Sequence, residues 1–273
     1  MVMDVIGQSN VCCTVKAEGK TVYAQCVLMD NQWEAEARLS ADIETFIIDE
    51  ADWEVHKAPS NIPLGCYSIE EMRGKSGYIE GKKELNILLD RKEGEMLKYM
   101  LNQCINGLIQ AETYLYKQRG FADEEEYDAY WDKIEKNGCR MYTHKSTEDV
   151  EWSQYAAPLT RCHNLFNRFK SSKFIYYGGK YMFAYGNLTD SFHRIDISIE
   201  FNGATGIITD CEIEFSRAPG QACFTNNIHR KKLIGRNLKE LTKKEVIHLL
   251  GKSEGCYHLV EVVTDILRTA KYI

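Results

Sequence analysis

The feature that most constrains this chain is an internal correspondence at a spacing of 160 residues. Gly19–Pro59 aligns with Gly179–Pro219 without a gap, and eleven of the 41 positions are identical, Asp30/Asp190 and Ala58-Pro59/Ala218-Pro219 among them. Chance alone gives about two or three matches over such a length, so the pattern reads as a duplication. Past Pro219 the spacing shortens, and Gly81 aligns with Gly235 and Cys104 with Cys256. The expected organisation is two tandem related domains, residues 1–118 and 161–273, joined by an acidic helical connector at 119–160. The connector carries the acidic, aromatic stretch Asp123–Ile134 and then Cys139-Arg-Met-Tyr-Thr-His144.

The second copy shows its elements more clearly. Lys173–Tyr177 and Lys180–Leu188 flank Gly178-Gly179 and read as a hairpin. His193, Ile195, Ile197, Ile199 and Phe201 alternate with Arg194, Asp196, Ser198 and Glu200, which predicts a strand with one apolar face. Asn202-Gly203 predicts a tight turn into a second alternating strand, Thr205–Phe215. Thr242-Lys-Lys-Glu245 has the form of a capping box, and Leu259, Val262, Val263, Ile266 and Leu267 recur at helical spacing. Each copy is therefore expected to be an α+β domain, an antiparallel β-meander followed by helices packed on one face.

Charge divides along the same line. Lys and Arg number 34 and Asp and Glu 40, a net of −6; residues 1–160 hold 17 basic and 29 acidic side chains (−12), and residues 161–273 hold 17 and 11 (+6). The basic side chains gather at Arg230, Lys231, Lys232, Arg236, Lys239, Lys243 and Lys244. Such a run is a solvated face or a surface for an acidic partner, so a protein partner or a homo-oligomer is expected. Nucleic acid is not, because no aromatic stacking pattern accompanies the charges. An apolar content of 44% and a charged content of 27% exclude disordered, collagen-like and membrane classes. With no long apolar run, no export signal in Met1–Lys20 and ten cysteines, a reducing cytoplasm is the expected location.

Metal-capable side chains collect in the second copy. Gly255-Cys256-Tyr257-His258-Leu259 places a thiol at a helix start with an imidazole two residues on. Exposed N–H groups there are expected to lower the thiol pKa and favour the thiolate that ligation or nucleophilic attack requires. Cys223 lies in the loop after the sheet, and His193 opens a strand on its core-facing side. His193, Cys223, Cys256 and His258 together make a Cys₂His₂ donor set for zinc or for an iron–sulfur cluster. In the first copy Trp33 stands for His193 and Asn106 for His258, whereas Cys104 keeps a helix-start thiol and Cys66 lies near the place of Cys223. A degenerate first site is therefore expected. Cys162-His163 is a further candidate ligand pair, and Cys211 belongs to the strand's apolar face.

The stretch from His193 through Pro219, Cys223, Leu233-Ile234-Gly235-Arg236 and Gly255–Leu259 resembles an uncharacterised bacterial family of unknown function with a C-terminal Gly-Cys-x-His-Leu motif. More remotely, the strand order, the segment from Arg236 to Leu241 and the Cys256 helix start resemble iron–sulfur cluster scaffold proteins of the IscU/NifU type. That likeness implies an IscU-like fold, with Cys256 at the family's late cysteine, Cys223 at its loop cysteine and His193 at its aspartate ligand. Ser191 departs from the pattern at the first cysteine and Gly255 at the histidine before the late one; the chaperone-recognition segment is absent.

The function expected is that of a metal-binding protein, an iron–sulfur or zinc carrier or scaffold. The alternatives are an enzyme and a structural subunit whose thiols are core. In the enzyme, Cys256 is the nucleophile or a zinc-bound water attacks, with His258 or His193 as base.

Overall fold

The computed structural model describes residues 4–156, 161 and 163–271; Cys162 and the last four residues of the expected connector lie outside them. Nine strands form: β1 (Asp4–Glu18), β2 (Thr21–Asp30), β3 (Glu34–Asp42), β4 (Ile48–Lys57), β5 (Gly65–Ser68), β6 (Phe166–Tyr176), β7 (Tyr181–Asp190), β8 (Arg194–Asn202) and β9 (Ile208–Arg217). The helices are α1 (Gly81–Glu84), α2 (Gly94–Ala111), α3 (Glu124–Ile134), α4 (Arg140–Thr143), α5 (Trp152–Ala156), α6 (Gln221–Phe224), α7 (Lys243–Leu250) and α8 (Tyr257–Ala270). Among the described residues, no helix is long and apolar enough to cross a membrane.

The strands join in one nine-stranded antiparallel sheet of order β5-β4-β3-β2-β1-β6-β7-β8-β9. This corrects the expected fold of two tandem α+β domains, each with its own meander, and the IscU-like reading with it. The physical reason lies at β1 and β6. A meander ending on either strand would leave a row of backbone N–H and C=O groups unpaired, and their adjacency in the sheet order removes both edges.

The 160-residue spacing survives as strand register inside this sheet. The β2–β3 pairing runs from Thr21↔Asp42 to Met29↔Glu34, and the β7–β8 pairing from Tyr181↔Asn202 to Thr189↔Arg194. Register shifts follow Glu34 and Ser40 in the β3–β4 pair, and Arg194 and Glu200 in the β8–β9 pair.

By contacts the chain falls into two compact units, residues 1–10, 130–150 and 169–273 in one and 11–129 with 151–168 in the other. In the second of these, α2 packs on β2 and β3. The Cys104 thiol donates to the Ala37 carbonyl at 3.5 Å. Cys104 therefore sits within α2, where a helix-start position was expected. Cys66 is exposed on the short strand β5, opposite Glu54.

In the unit that carries the candidate ligands, Ile195, Ile197, Ile199 and Phe201 of β8 are buried as their alternation predicts. Leu259, Val262, Val263 and Ile266 of α8 close over this apolar face. The capping box forms: Thr242 accepts from the Glu245 N–H, and the Glu245 carboxylate accepts from the Thr242 N–H at 2.8 Å. The tight Asn202-Gly203 turn does not. The Asn202 carboxamide oxygen accepts from the N–H groups of Ala204 and Thr205, and the left-handed residue is Gly206, at φ 76°. That widens the loop and starts β9 at Ile208, leaving Ile207 exposed. Arg230 of the basic run pairs with Glu212, while Lys232 and Lys239 donate to the carbonyls of Leu249 and Gly203.

Close approach of α8 to β7 depends on Gly186. A β-carbon there would lie 2.6 Å from Val262 Cγ1 and 2.9 Å from Ile266 Cδ1. Gly186→Val should lower unfolding stability by about 1–3 kcal/mol, read from urea denaturation; an unchanged midpoint contradicts this packing.

Candidate metal centre

The β7–β8 connection is a four-residue turn, Asp190-Ser-Phe-His193. Its Asp190 carboxylate Oδ1 accepts the N–H of Phe192 at 2.8 Å and of His193 at 2.6 Å, and the Asp190 N–H donates to the His193 carbonyl at 2.9 Å. The first half builds the same turn, where Asp30 Oδ1 accepts from Gln32 and Trp33 at 2.8 and 2.7 Å. Capping by a short carboxylate is what Asp supplies to a turn, and it explains the identity of Asp30 and Asp190 without reference to a ligand. The difference lies in the last residue. Trp33 is buried and packs near Trp53 at 6.3 Å between ring centroids, whereas the second half presents an imidazole.

The His193 ring is buried, with Nδ1 3.2 Å from Asp190 Oδ1. His258, in the first turn of α8, stacks on it at 3.9 Å between centroids and 30° between planes. The local sequence places it there. The Cys256 N–H donates to the Leu250 carbonyl at 2.7 Å, turning the chain from α7 directly into α8. Gly255 must be glycine in this corner, because a β-carbon would lie 2.1 Å from the Leu250 oxygen and 2.4 Å from that of Gly251.

Among the described residues, Asp190, His193 and His258 form the group whose donor atoms all lie within 4.8 Å of one another. Asp190 and His193 are buried and His258 is half-buried, so the group is accessible from the His258 side. Bonds of about 2.0–2.2 Å to one zinc ion hold two donors a little over 3 Å apart, the spacing already seen between His193 Nδ1 and Asp190 Oδ1. Without an ion the same contact is a hydrogen bond to the carboxylate that orients the imidazole.

Of the four ligands expected from sequence, the structure thus brings His193 and His258 together and adds Asp190. Cys223 lies in α6 and Cys256 caps α8; both belong to the hydrophobic core cluster with Met141 and Leu259, and neither is in the three-residue group. The expected thiolate at Cys256 is also corrected. Burial pushes this thiol up to about 12, outweighing the helix-start N–H groups of Leu259 and His258, and it pushes Cys223 up to about 11. Cys139 neighbours both, its own thiol raised by burial. Cys211 is core, as expected, and burial raises it to about 12. His144, in the expected connector, pairs with Glu254 at 3.0 Å. Asp190 was legible only as one half of an Asp-x-x-His spacing and as an identity with Asp30 in the 160-residue alignment.

Residues 180–271 match the profile of a family described as a protein of unknown function, DUF2889, which is 92 of the chain's 273 residues. No curated protein and no solved structure matches the chain.

Two measurements follow from the thiols. Alkylation at neutral pH should modify Cys66 and leave Cys223 and Cys256 protected until the protein unfolds; equal labelling of Cys256 and Cys66 contradicts the burial. Because the folded Cys256 thiol titrates near 12, above the unfolded value of about 8.5, its contribution is complete below that lower value and is lost as pH rises through the higher one. The urea midpoint should therefore fall on the alkaline side, and less steeply in Cys256→Ala.

Proposed function

We propose that this is a metal-binding protein whose centre is Asp190, His193 and His258, taking zinc or a similar divalent ion. The observation that supports this reading is the convergence of two stacked imidazoles and a carboxylate within 4.8 Å, two of the three buried. Two nitrogens and one oxygen suit zinc and its neighbours, and three protein ligands leave a coordination position for water or a ligand. An iron–sulfur cluster, the other cofactor expected, requires thiolates, and the grouped donors supply none. The half-buried face at His258 gives the open position access to solvent. That arrangement suits a centre that polarises or hydrolyses a bound small molecule better than a closed structural one.

A second reading is favoured by the 3.2 Å contact of His193 with Asp190: a carboxylate-oriented imidazole acting as general base without a metal. The two readings separate in one experiment. Zinc titration by calorimetry, with elemental analysis of the purified chain, should find one equivalent of metal. His193→Ala and His258→Ala should each weaken it roughly hundredfold or more, whereas Cys256→Ser keeps it. Absence of bound metal at micromolar zinc removes the proposal in favour of the base. Loss of metal in Cys256→Ser with retention in His258→Ala returns the site to the thiols.

A further inference from the structure

We propose that Arg194 and Arg217 form a binding subsite for a phosphoryl group, beside the Asp190–His193 turn and independent of whether a metal binds there. The argument begins with an anomaly of register. Where β3 meets β4, Glu34 stands opposite Lys57, a complementary cross-strand pair. At the same place in the β8–β9 pair, Arg194 stands opposite Arg217. Like charges directly across a ladder destabilise it, and nothing in sheet formation asks for the exchange, since the register shift that follows the pair is the same in both halves.

The anchoring role of this position is also shared, and it does not require arginine. Lys57 Nζ donates to the Asn31 carbonyl at 2.9 Å, steadying the β2–β3 turn with its single ammonium. Among the described residues, Arg217 steadies the β7–β8 turn through Nη2, which donates to the carbonyls of Asp190 and His193. A guanidinium has five N–H donors in a rigid fork, so the substitution leaves Nε and Nη1 of a pinned side chain over from the structural task. Arg194 is 60% exposed, and its contact among the described residues is a 3.5 Å approach of Nε to Asp196 Oδ2. Asp196 is itself engaged by the Asn187 carboxamide at 2.6 Å, and Glu214 stands opposite it, one row further along the sheet. The two carboxylates lie toward the middle of the strands, whereas Arg217 reaches the other way, to the turn.

Two arginines in cross-strand register, Arg217 anchored at the turn and Arg194 60% exposed, match a dianionic tetrahedral oxyanion better than a monocarboxylate. Each fork takes two oxygens, and the doubled charge offsets the repulsion that the register imposes. The subsite lies at the turn that carries His193, on the sheet face that Arg194 shares with Asp196, opposite the face on which the His193 ring meets α8.

The test uses the first half's own solution as the control. The double variant R194E/R217K recreates the Glu34–Lys57 pair and should fold with an unfolding midpoint no lower than the parent's. Inorganic phosphate should raise the melting temperature of the parent saturably, at matched ionic strength, and acetate should not. The double variant should lose roughly tenfold or more in phosphate affinity, and R217K alone, which keeps the turn anchor, should lose part of it. R217K carries the test if the double variant fails to fold. A parent response to phosphate no larger than to chloride, an equal response to acetate, or variants that bind phosphate like the parent would each overturn the proposal.

Discussion

The candidate centre depends on the closure of the β7–β8 turn by the Asp190 carboxylate. By accepting the N–H groups of Phe192 and His193, it fixes where β8 begins, and a strand's side chains change face with every residue. A slip of one position would bury Arg194, Asp196 and Ser198 under α8 and expel Ile195, Ile197 and Ile199. The register that keeps the isoleucines inside is also the one that turns His193 toward α8, where His258 meets it at 3.9 Å. Core and candidate site are consequences of one hydrogen-bonded turn.

The two halves show how such a turn changes its use. Asp30 closes its turn with the same geometry, and the next functional difference is one side chain, Trp33 or His193. A tryptophan there extends the core toward Trp53; a histidine brings a donor atom into the same buried position. The Lys57-to-Arg217 and Glu34-to-Arg194 exchanges fall on the flanking register pair. All three changes are local to one hairpin end, and the strand pairings around them are unaltered.

Much of this was legible in the sequence because it depends on short-range periodicity. The alternation of β8, the capping box at Thr242 and the apolar stripe of α8 each follow from a few neighbouring residues and form as read. His193 and His258 stood out because their first-half counterparts lack imidazoles. What could not be read was long-range. The meeting of β1 and β6 in one sheet leaves no periodic trace, so the 160-residue correspondence suggested separate domains. The donor properties of Cys256 turned on burial, which a helix-start position does not reveal; under α7 and α8 desolvation outweighs the dipole. Asp190 looked like a turn former because it is one, and its place beside two histidines appears only when α8 is docked.

The most direct test of the central claim is X-ray absorption at the zinc edge of the zinc-loaded chain. The account predicts a first shell of nitrogen and oxygen scatterers at about 2.0–2.2 Å, with the outer-shell pattern of two imidazoles and no sulfur. A sulfur shell at about 2.3 Å would place the metal at the cysteines and contradict it.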